Sequence, residues 1–251
     1  MRTLAIDTSG TTTLVALIHR GDDRRSRLEG QATLARLPLT HLHPLIEALL
    51  ARLAIGLDAV DRIAVVRGPG SWTGLNIGVT AAKTLAQVLE LPLVGLRSLD
   101  VLVAVERWLA GPIVGVYDAK RGKVLAATYP TDDVGRPRLA EGHLELLALD
   151  AFTEQLAASE EHPRVLELGS GLEERLTRAC PGLSHSRHDA LPAAGLLAAL
   201  EVADADPATE VWRGDALFGV APLYLQEGFQ ELKAKRRAKA ENGGQREETA
   251  C

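Results

Sequence analysis

The sequence predicts an α/β fold that consists of two related halves, each with a mixed β-sheet flanked by helices. In the first 100 residues, short β-rich runs alternate with segments of helical periodicity, which is typical of a sheet covered by helices. Both halves also contain a strand that ends in aspartate, a tight turn and a second strand, at residues 4–18 and 113–129. This repeat predicts two subdomains of similar topology.

The elements of the first half follow from local sequence patterns. Residues 3–7 and 13–18 are β-rich and are separated by a polar turn, which predicts a hairpin. Residues 40–54 place apolar side chains on one helical face, and Pro44 falls in the first turn, where proline is tolerated. The other expected elements are a third strand within 27–34, a strand at 63–66, a helix ending near Glu90 and a strand at 93–96.

The second half is expected to contain strands, loops and helices in a similar order. The expected elements are strands at 113–118 and 123–129, a loop, strand and helix within 132–161, a buried strand at 164–168, a solvated polar loop with His185 and His188, and a helix at 193–203. The predicted domains are a first subdomain at 1–103, a second at 104–228 and a charged tail at 229–251. We interpret the basic run at 233–239 as a solubilising segment, with contact to RNA phosphates as the alternative.

Composition excludes several classes of protein. The chain has 251 residues and a formal net charge of −5, so as a whole it does not attract nucleic acid electrostatically. Its two cysteines provide neither a disulfide framework nor a cysteine-rich metal site. His41 and His43 point to different faces of a helix, so we expect no metal site there. The sequence shows no signal-peptide core and no membrane-spanning run, and we therefore expect a cytoplasmic protein with no membrane partner.

The most informative segment runs from Arg67 to Gly78 and joins a strand to a helix. Its proline and glycines predict a tight turn, and Ser71 is well placed to cap the helix. Gly74, Gly78 and Ala82 recur every four residues, so one flank of the helix is bare backbone. Bare backbone allows another element to approach the helix closely.

This helix carries two apolar stripes. Leu75 and Val79 belong to the first stripe, and Ile77, Ala81 and Val88 belong to the second. A surface helix of a lone domain needs only one apolar face. Either the helix is sandwiched inside its own domain, or one stripe faces the sheet while the other faces a protein partner.

An aspartate at the tip of a hairpin in each half is typical of actin, Hsp70 and sugar-kinase ATPases, which hold phosphate and Mg²⁺ at such turns. The first turn here is poor in glycine, and the second places two cations shortly after its aspartate, where small residues would be needed. The pattern indicates an ATPase scaffold with a degraded nucleotide site. The candidate residues of that site are Asp7, Thr8, Ser9, Asp118, Gly169 and Gly171.

Taken together, these residues resemble the TsaB (YeaZ) family. The family comprises bacterial subunits of the machinery that attaches threonylcarbamoyl to adenosine 37 of tRNAs reading codons that begin with A. The matching segments are 1–8, 68–78, 93–99, 118–122 with the following strand, and 222–225. The resemblance implies the duplicated two-subdomain fold of actin and Hsp70 (the ASKHA fold). It also implies that catalysis resides on a related subunit, TsaD, and that an ATPase subunit, TsaE, joins the complex. Asn76 departs from the family, in which arginine is usual at this position.

The resemblance therefore predicts a non-catalytic scaffold subunit, with no catalytic and no metal-binding residues of its own. No cofactor is expected on the chain alone; ATP or ADP and a metal are candidate ligands of the assembled complex. Contact with tRNA is expected to be indirect, and self-association as a homodimer is left open. The alternative is an independent ATPase or small-molecule kinase of the same fold. The residues predicted to bind the partner through their helix faces are Leu42, Ile46, Leu49, Trp72, Gly74, Gly78, Ala81 and Leu85.

Overall fold

The computed structural model describes residues 1–35, 41–169 and 171–223. The predicted tail at 229–251, with its basic run, lies outside the described residues, as does the end of the matching segment at 224–225. Among the described residues, no helix is both long and apolar enough to cross a lipid bilayer.

The first sheet has six strands in the order β11-β5-β4-β1-β2-β3. Strands β1, β2 and β3 form an antiparallel meander, whereas β4 and β5 continue parallel to β1. Two helices, α1 and α2, cover one face of this sheet. The bounds are β1 Arg2–Asp7, β2 Thr12–Arg20, β3 Ser26–Ala35, α1 Leu42–Arg52, β4 Arg62–Gly68, α2 Trp72–Val88, β5 Leu93–Arg97 and β11 Val211–Trp212.

The second sheet repeats this topology with five strands in the order β10-β9-β6-β7-β8. Its first three strands again form an antiparallel meander, and β9 and β10 continue parallel to β6. The bounds are α3 Ser98–Val103, β6 Ile113–Lys120, β7 Lys123–Tyr129, β8 His143–Ala148, α4 Leu149–Ala158, β9 Arg164–Leu168, α5 Glu173–Ala179, β10 Ser184–His188 and α6 Ala193–Ala205. The predicted duplicated α/β fold is confirmed.

Three apolar layers cover the faces of the two sheets, and the layer between the sheets holds them together. Helices α3 and α6 pack between the sheets, α1 and α2 cover the outer face of the first sheet, and α4 and α5 cover the outer face of the second. Strand β1 contributes side chains to two of these layers, because alternate side chains of a strand point to opposite faces. Leu4 and Ile6 face α1 and α2, whereas Ala5 faces the layer between the sheets. Both faces are therefore buried, which explains the continuous apolar run of this strand.

The chain returns to the first sheet after α6. Strand β11 pairs antiparallel with β5, and the turn at Gly214–Gly219 lies beside α2. The Nζ of Lys83 on α2 donates to the carbonyl oxygens of Phe218 and Val220, at 3.3 and 3.1 Å. Tertiary contacts therefore attach this last segment to the first half, whereas sequence position places it in the second.

Several elements escape the sequence patterns. The expected polar loop with His185 and His188 is strand β10, paired with β9 in the second sheet. His185 is not solvated as predicted, because its side chain is only 10% exposed and lies beside Glu167. The sequence patterns also miss the short helix α3.

A buried ion cluster joins α6 to the first sheet. Asp204, near the end of α6, accepts hydrogen bonds from both terminal nitrogens of Arg62 and one from Arg20 at 2.7 Å. The Nε of Arg62 donates to the hydroxyl of Thr3 at 3.1 Å. Arg62 and Asp204 are each only 8% exposed, so the loss of the Asp204 carboxylate would leave Arg62 buried without its counter-ion.

We expect Asp204→Asn to lower the free energy of unfolding by about 3 kcal/mol, because it leaves a buried guanidinium without its carboxylate. Urea denaturation followed by circular dichroism measures this loss. The matched control is Glu154→Gln, which removes an exposed carboxylate on α4. Equal stability of the two variants would contradict a structural role for the Asp204 cluster.

Candidate functional site at the glycine turn and the cleft between the sheets

The turn between β4 and α2 is held by hydrogen bonds on both sides. The Oγ of Ser71 accepts from the backbone N–H of Gly74 at 3.3 Å, so Ser71 caps α2 as predicted. The backbone N–H of Ser71 donates to the carbonyl oxygen of Ser9 at 2.7 Å. The start of α2 is therefore joined to the first hairpin turn.

The glycine flank of α2 packs against that hairpin turn. The hydroxyl of Thr8 donates to the carbonyl oxygen of Gly74 at 2.7 Å. A Cβ on Gly74 would overlap the Thr8 carbonyl oxygen, and one on Gly78 would overlap the Thr8 hydroxyl. Both glycines are predicted above to face a partner, but their bare backbone already accommodates a turn of the same chain.

The predicted docking residues on α1 are also committed to the chain's own core. Leu42, Ile46 and Leu49 are 1%, 4% and 0% exposed and pack in the layer between α1, α2 and the sheet. An apolar helix face that covers a sheet is not available to a partner without unfolding. Their proposed interface role therefore does not agree with their burial.

The outward side of α2 is composed of other residues. Of the residues predicted on this helix, Ala81 is buried and Leu85 is half-buried, whereas Trp72 is 68% exposed. Val88, from the predicted second stripe, is 74% exposed. The Asn76 amide donates to the Trp72 carbonyl oxygen at 2.9 Å, so this departure from the family binds the helix's own first turn.

A small cleft of about 230 Å³ lies between the two halves and is lined by half of the predicted nucleotide-site residues. Ser9, Asp118 and Gly169 line it, and a Cβ on Gly171 would come within 2.9 Å of the Asp118 carboxylate. Asp7 and Thr8 lie behind this wall, because they are only 1% and 3% exposed. The duplicated hairpins therefore bring the predicted set together around one cleft.

Lys120 occupies the Asp118 side of this cleft. The Asp118 carboxylate accepts two hydrogen bonds from Lys120, one from its side-chain ammonium and one from its backbone N–H, both at 2.8 Å. The hydrogen bond to Asp118 is the main reason that the pKa of Lys120 is raised. Lys120 and Arg121 both have positive φ, at 67° and 56°, in a region that favours glycine. Cations thus occupy positions where a phosphate-binding turn would present backbone N–H groups.

A second buried carboxylate supports the glycine loop of the cleft, and the sequence patterns did not single it out. Glu167 is fully buried and accepts the backbone N–H of Leu172 at 2.9 Å. Its other oxygen lies 3.4 Å from the Nε2 of His185. These contacts anchor the loop that carries Gly169 and Gly171. The available signal is a lone acidic residue inside the apolar strand β9, because a buried charge needs a partner.

Asp7 is fully buried at the end of β1. Its Oδ1 accepts the backbone N–H of Ser9 at 2.8 Å, and its Oδ2 has no hydrogen-bond partner among the described residues. Burial raises the pKa of Asp7 to about 6, opposed by hydrogen bonding from Ser9. Within the described ranges, no group of three or more His, Cys, Asp or Glu side chains is placed to hold a metal ion.

The glycine flank predicts a stability defect. We expect Gly74→Ala to lower the free energy of unfolding by about 1–3 kcal/mol, because its methyl group has no space beside Thr8. Gly219→Ala is the matched control, since nothing lies within 4 Å of a Cβ there. Melting temperatures of both variants test the packing, and an unchanged value for Gly74→Ala would contradict it.

The buried Asp7 predicts a pH-dependent difference. Because its folded pKa is raised, the folded chain binds more protons than the unfolded chain between about pH 4 and pH 6. The contribution of Asp7 to stability is therefore full below this window and is lost as the pH rises through it. Asp7→Asn cannot ionise, so its stability relative to the parent chain should rise by about 2–3 kcal/mol from pH 4 to pH 7.

Urea denaturation of Asp7→Asn and the parent chain across that pH range measures the difference. Asp22→Asn, at an exposed turn, is the control for removing one carboxylate. If the stability of Asp7→Asn relative to the parent chain fell with rising pH, Asp7 would be held ionised in the folded chain.

A family model described as TsaD, tRNA N6-adenosine threonylcarbamoyltransferase, matches residues 34–144. This range spans α1, the glycine turn and α2. A curated transferase of that description from a Chelativorans species is 36% identical over 39% of this chain and 32% of its own length.

Two other curated relatives are named tRNA threonylcarbamoyladenosine biosynthesis protein TsaB. The Bacillus subtilis protein is 36% identical over 51% of this chain and 55% of its own length. The Escherichia coli protein is 33% identical over 54% of this chain and 58% of its own length. The chain therefore matches somewhat more than half the length of these relatives.

A solved structure extends the likeness over nearly the whole fold. YeaZ from Pseudomonas aeruginosa is 27% identical, with a TM-score of 0.67, and the match covers 89% of this chain and 99% of that chain. The sequence relatives carry the TsaB name, and the structural match adds both sheets of a protein named YeaZ. The predicted resemblance is confirmed: this chain is similar in sequence to proteins named TsaB and in structure to YeaZ.

Proposed function

We propose that this chain is a non-catalytic scaffold subunit for threonylcarbamoyl transfer to adenosine 37 of tRNA, and that it acts by binding a TsaD-type catalytic subunit. The observation that carries the proposal is the likeness to proteins named for tRNA threonylcarbamoyladenosine biosynthesis, at 36% and 33% identity. The match to the transferase family model supports kinship with the proposed partner. Related chains of one fold often pair through equivalent surfaces.

The cleft geometry supports a scaffold role. Ligand pockets usually have volumes of about 300–1,000 Å³, whereas this cleft measures about 230 Å³. Its Asp118 carboxylate is engaged by Lys120, and Asp7 lies behind the cleft wall. A nucleotide would have to displace an ion pair and widen the cleft before it could bind. We therefore propose that the chain alone binds no cofactor, and that ATP or ADP, a metal and a TsaE-type subunit enter only with the assembled complex.

The outward side of α2 is the surface that we assign to the TsaD-type partner. Trp72 and Val88 expose large apolar side chains at the two ends of this helix, and Thr80 and Thr84 are exposed between them. Phe218 is 68% exposed on the segment that Lys83 holds against the helix. Exposed apolar side chains of this size gain most when a partner removes them from water. The same surface would serve a homodimer of this chain in isolation.

Val88→Glu should weaken binding to a co-expressed TsaD-type protein by about tenfold or more, because it places a charge in an apolar contact. Size-exclusion chromatography and isothermal titration measure the affinity, and the melting temperature checks folding. Glu154→Arg, on the exposed side of α4, is the control for a changed surface charge. Separate elution of the parent chain and the TsaD-type protein at micromolar concentration would refute the scaffold function. Unchanged binding by Val88→Glu would refute the assigned surface.

The second candidate function is an independent ATPase or small-molecule kinase. Asp7 ends strand β1, and Asp118 lies near the end of strand β6. These equivalent positions in the two sheets favour the second function. ATP turnover by the purified chain alone, abolished in Asp7→Ala, would support this function over the scaffold. Absence of turnover together with TsaD binding would support the scaffold.

A further inference from the structure

A second and larger cavity of about 460 Å³ lies beside strands β5 and β11 of the first sheet, and it shares no lining residue with the cleft that holds Asp118. It is bounded by the end of β5, the last turns of α6 and the loop after Leu139. Its size falls within the usual range for small-molecule sites, about 300–1,000 Å³. The residues that the following argument uses are Arg67, Gly95, Arg97, Asp206, Glu210 and Trp212.

Arg67 forms part of the cavity wall and is held in a fixed plane. Its guanidinium lies 4.8 Å from the centroid of the Trp212 ring, a distance at which cation and ring attract each other. Its Nε donates to the carbonyl oxygen of Ala221 at 2.8 Å. The aliphatic stem passes over Gly95, where a Cβ would overlap the Arg67 Cδ. These three contacts orient the guanidinium, and its Nη1 lies 4.0 Å from the carboxylate of Glu210, which also lines the cavity.

Arg67 differs from the other half-buried arginines in the charge that it faces. Arg62 and Arg97 donate directly to the carboxylates of Asp204 and Asp100. The nearest carboxylate to Arg67 is Glu210, whose oxygen is 4.0 Å away and whose side chain is 72% exposed. The Arg67 side chain is only 17% exposed, so its charge is partly desolvated without a hydrogen-bonded counter-ion. Burial lowers the pKa of Arg67, and Glu210 opposes this effect only in part.

The other charges around the cavity are already engaged. Besides Asp100, the Arg97 guanidinium donates to the carbonyl oxygen of Gly142 at 3.0 Å. The Asp206 carboxylate accepts the backbone N–H of Ala208 at 2.9 Å. Among the described residues, Glu210 is the carboxylate that forms an ion pair with Arg67, so a bound anion would have to compete with it.

We propose that this cavity binds a small molecule through an oxyanion group, either a carboxylate or a phosphate. The terminal nitrogens of Arg67 bind this group in place of the Glu210 carboxylate. A planar guanidinium matches the paired oxygens of both groups, and two parallel hydrogen bonds fix their orientation. Trp212 provides an apolar wall for the rest of the molecule. The site is separate from the α2 surface, and the proposal does not depend on partner binding.

The probes are inorganic phosphate and citrate, titrated into the full chain by calorimetry at constant ionic strength in chloride. Binding of phosphate, citrate or both identifies the preferred oxyanion. Glu210→Gln should tighten binding by roughly fivefold, because it removes a competing carboxylate. Arg67→Met should weaken binding by about tenfold or more, because it removes charged hydrogen bonds.

Opposite effects of these two variants support the site. No binding by the parent chain or by Glu210→Gln would overturn the proposal. Equal affinity in Glu210→Gln and the parent chain would show adventitious anion binding only. Arg67 also donates a hydrogen bond to Ala221, so its variant is checked for folding by its melting temperature. If that variant is unfolded, Glu210→Gln decides the test, since Glu210 is exposed. Val88→Glu should bind the probes normally, so a failure here is distinguishable from a failure of the TsaD docking surface.

Discussion

The contact between the first hairpin turn and the glycine flank of α2 is the constraint on which the first half of the molecule depends. Thr8 bonds to the carbonyl oxygen of Gly74, and its carbonyl and hydroxyl occupy the space where side chains at positions 74 and 78 would stand. Because Ser71 is joined to Ser9 in the same turn, strand β1 and helix α2 have a fixed relative position. That position sets both the wall of the cleft and the direction in which α2 presents its outward side.

Buried apolar side chains, in addition to the chain connection, hold the two halves together. Helices α3 and α6 bury apolar side chains against both sheets, and the Arg62–Asp204 pair fixes the end of α6 to the first sheet. The final described segment then returns along α2, held by Lys83 and Arg67 through backbone carbonyl oxygens. Rigid-body opening of the cleft would disturb several of these contacts at once. These contacts thus hold the two sheets together around the cleft.

The residues around the cleft are engaged within the chain itself. The duplicated aspartates keep their positions, but Lys120 neutralises one and burial encloses the other. The first hairpin turn contributes packing and hydrogen bonds to the fold, in addition to the apolar layers.

The sequence by itself determined the duplicated α/β topology, the capped helix after the glycine turn and the resemblance to TsaB proteins, because periodicity, turn residues and the motif at 67–78 are local signals. It also identified the residues that surround the cleft, since each follows a predicted strand. Only the tertiary structure decided which face of each helix is buried. Two apolar stripes and a bare flank are compatible with a partner or with the chain's own turn, and the choice depends on Thr8, 66 residues away in sequence. Likewise, the strand at 184–188 has no apolar alternation, so only its pairing with β9 and the contact between His185 and Glu167 establish it. Long-range contacts of this kind leave no local pattern, which is why the sequence alone could not specify them.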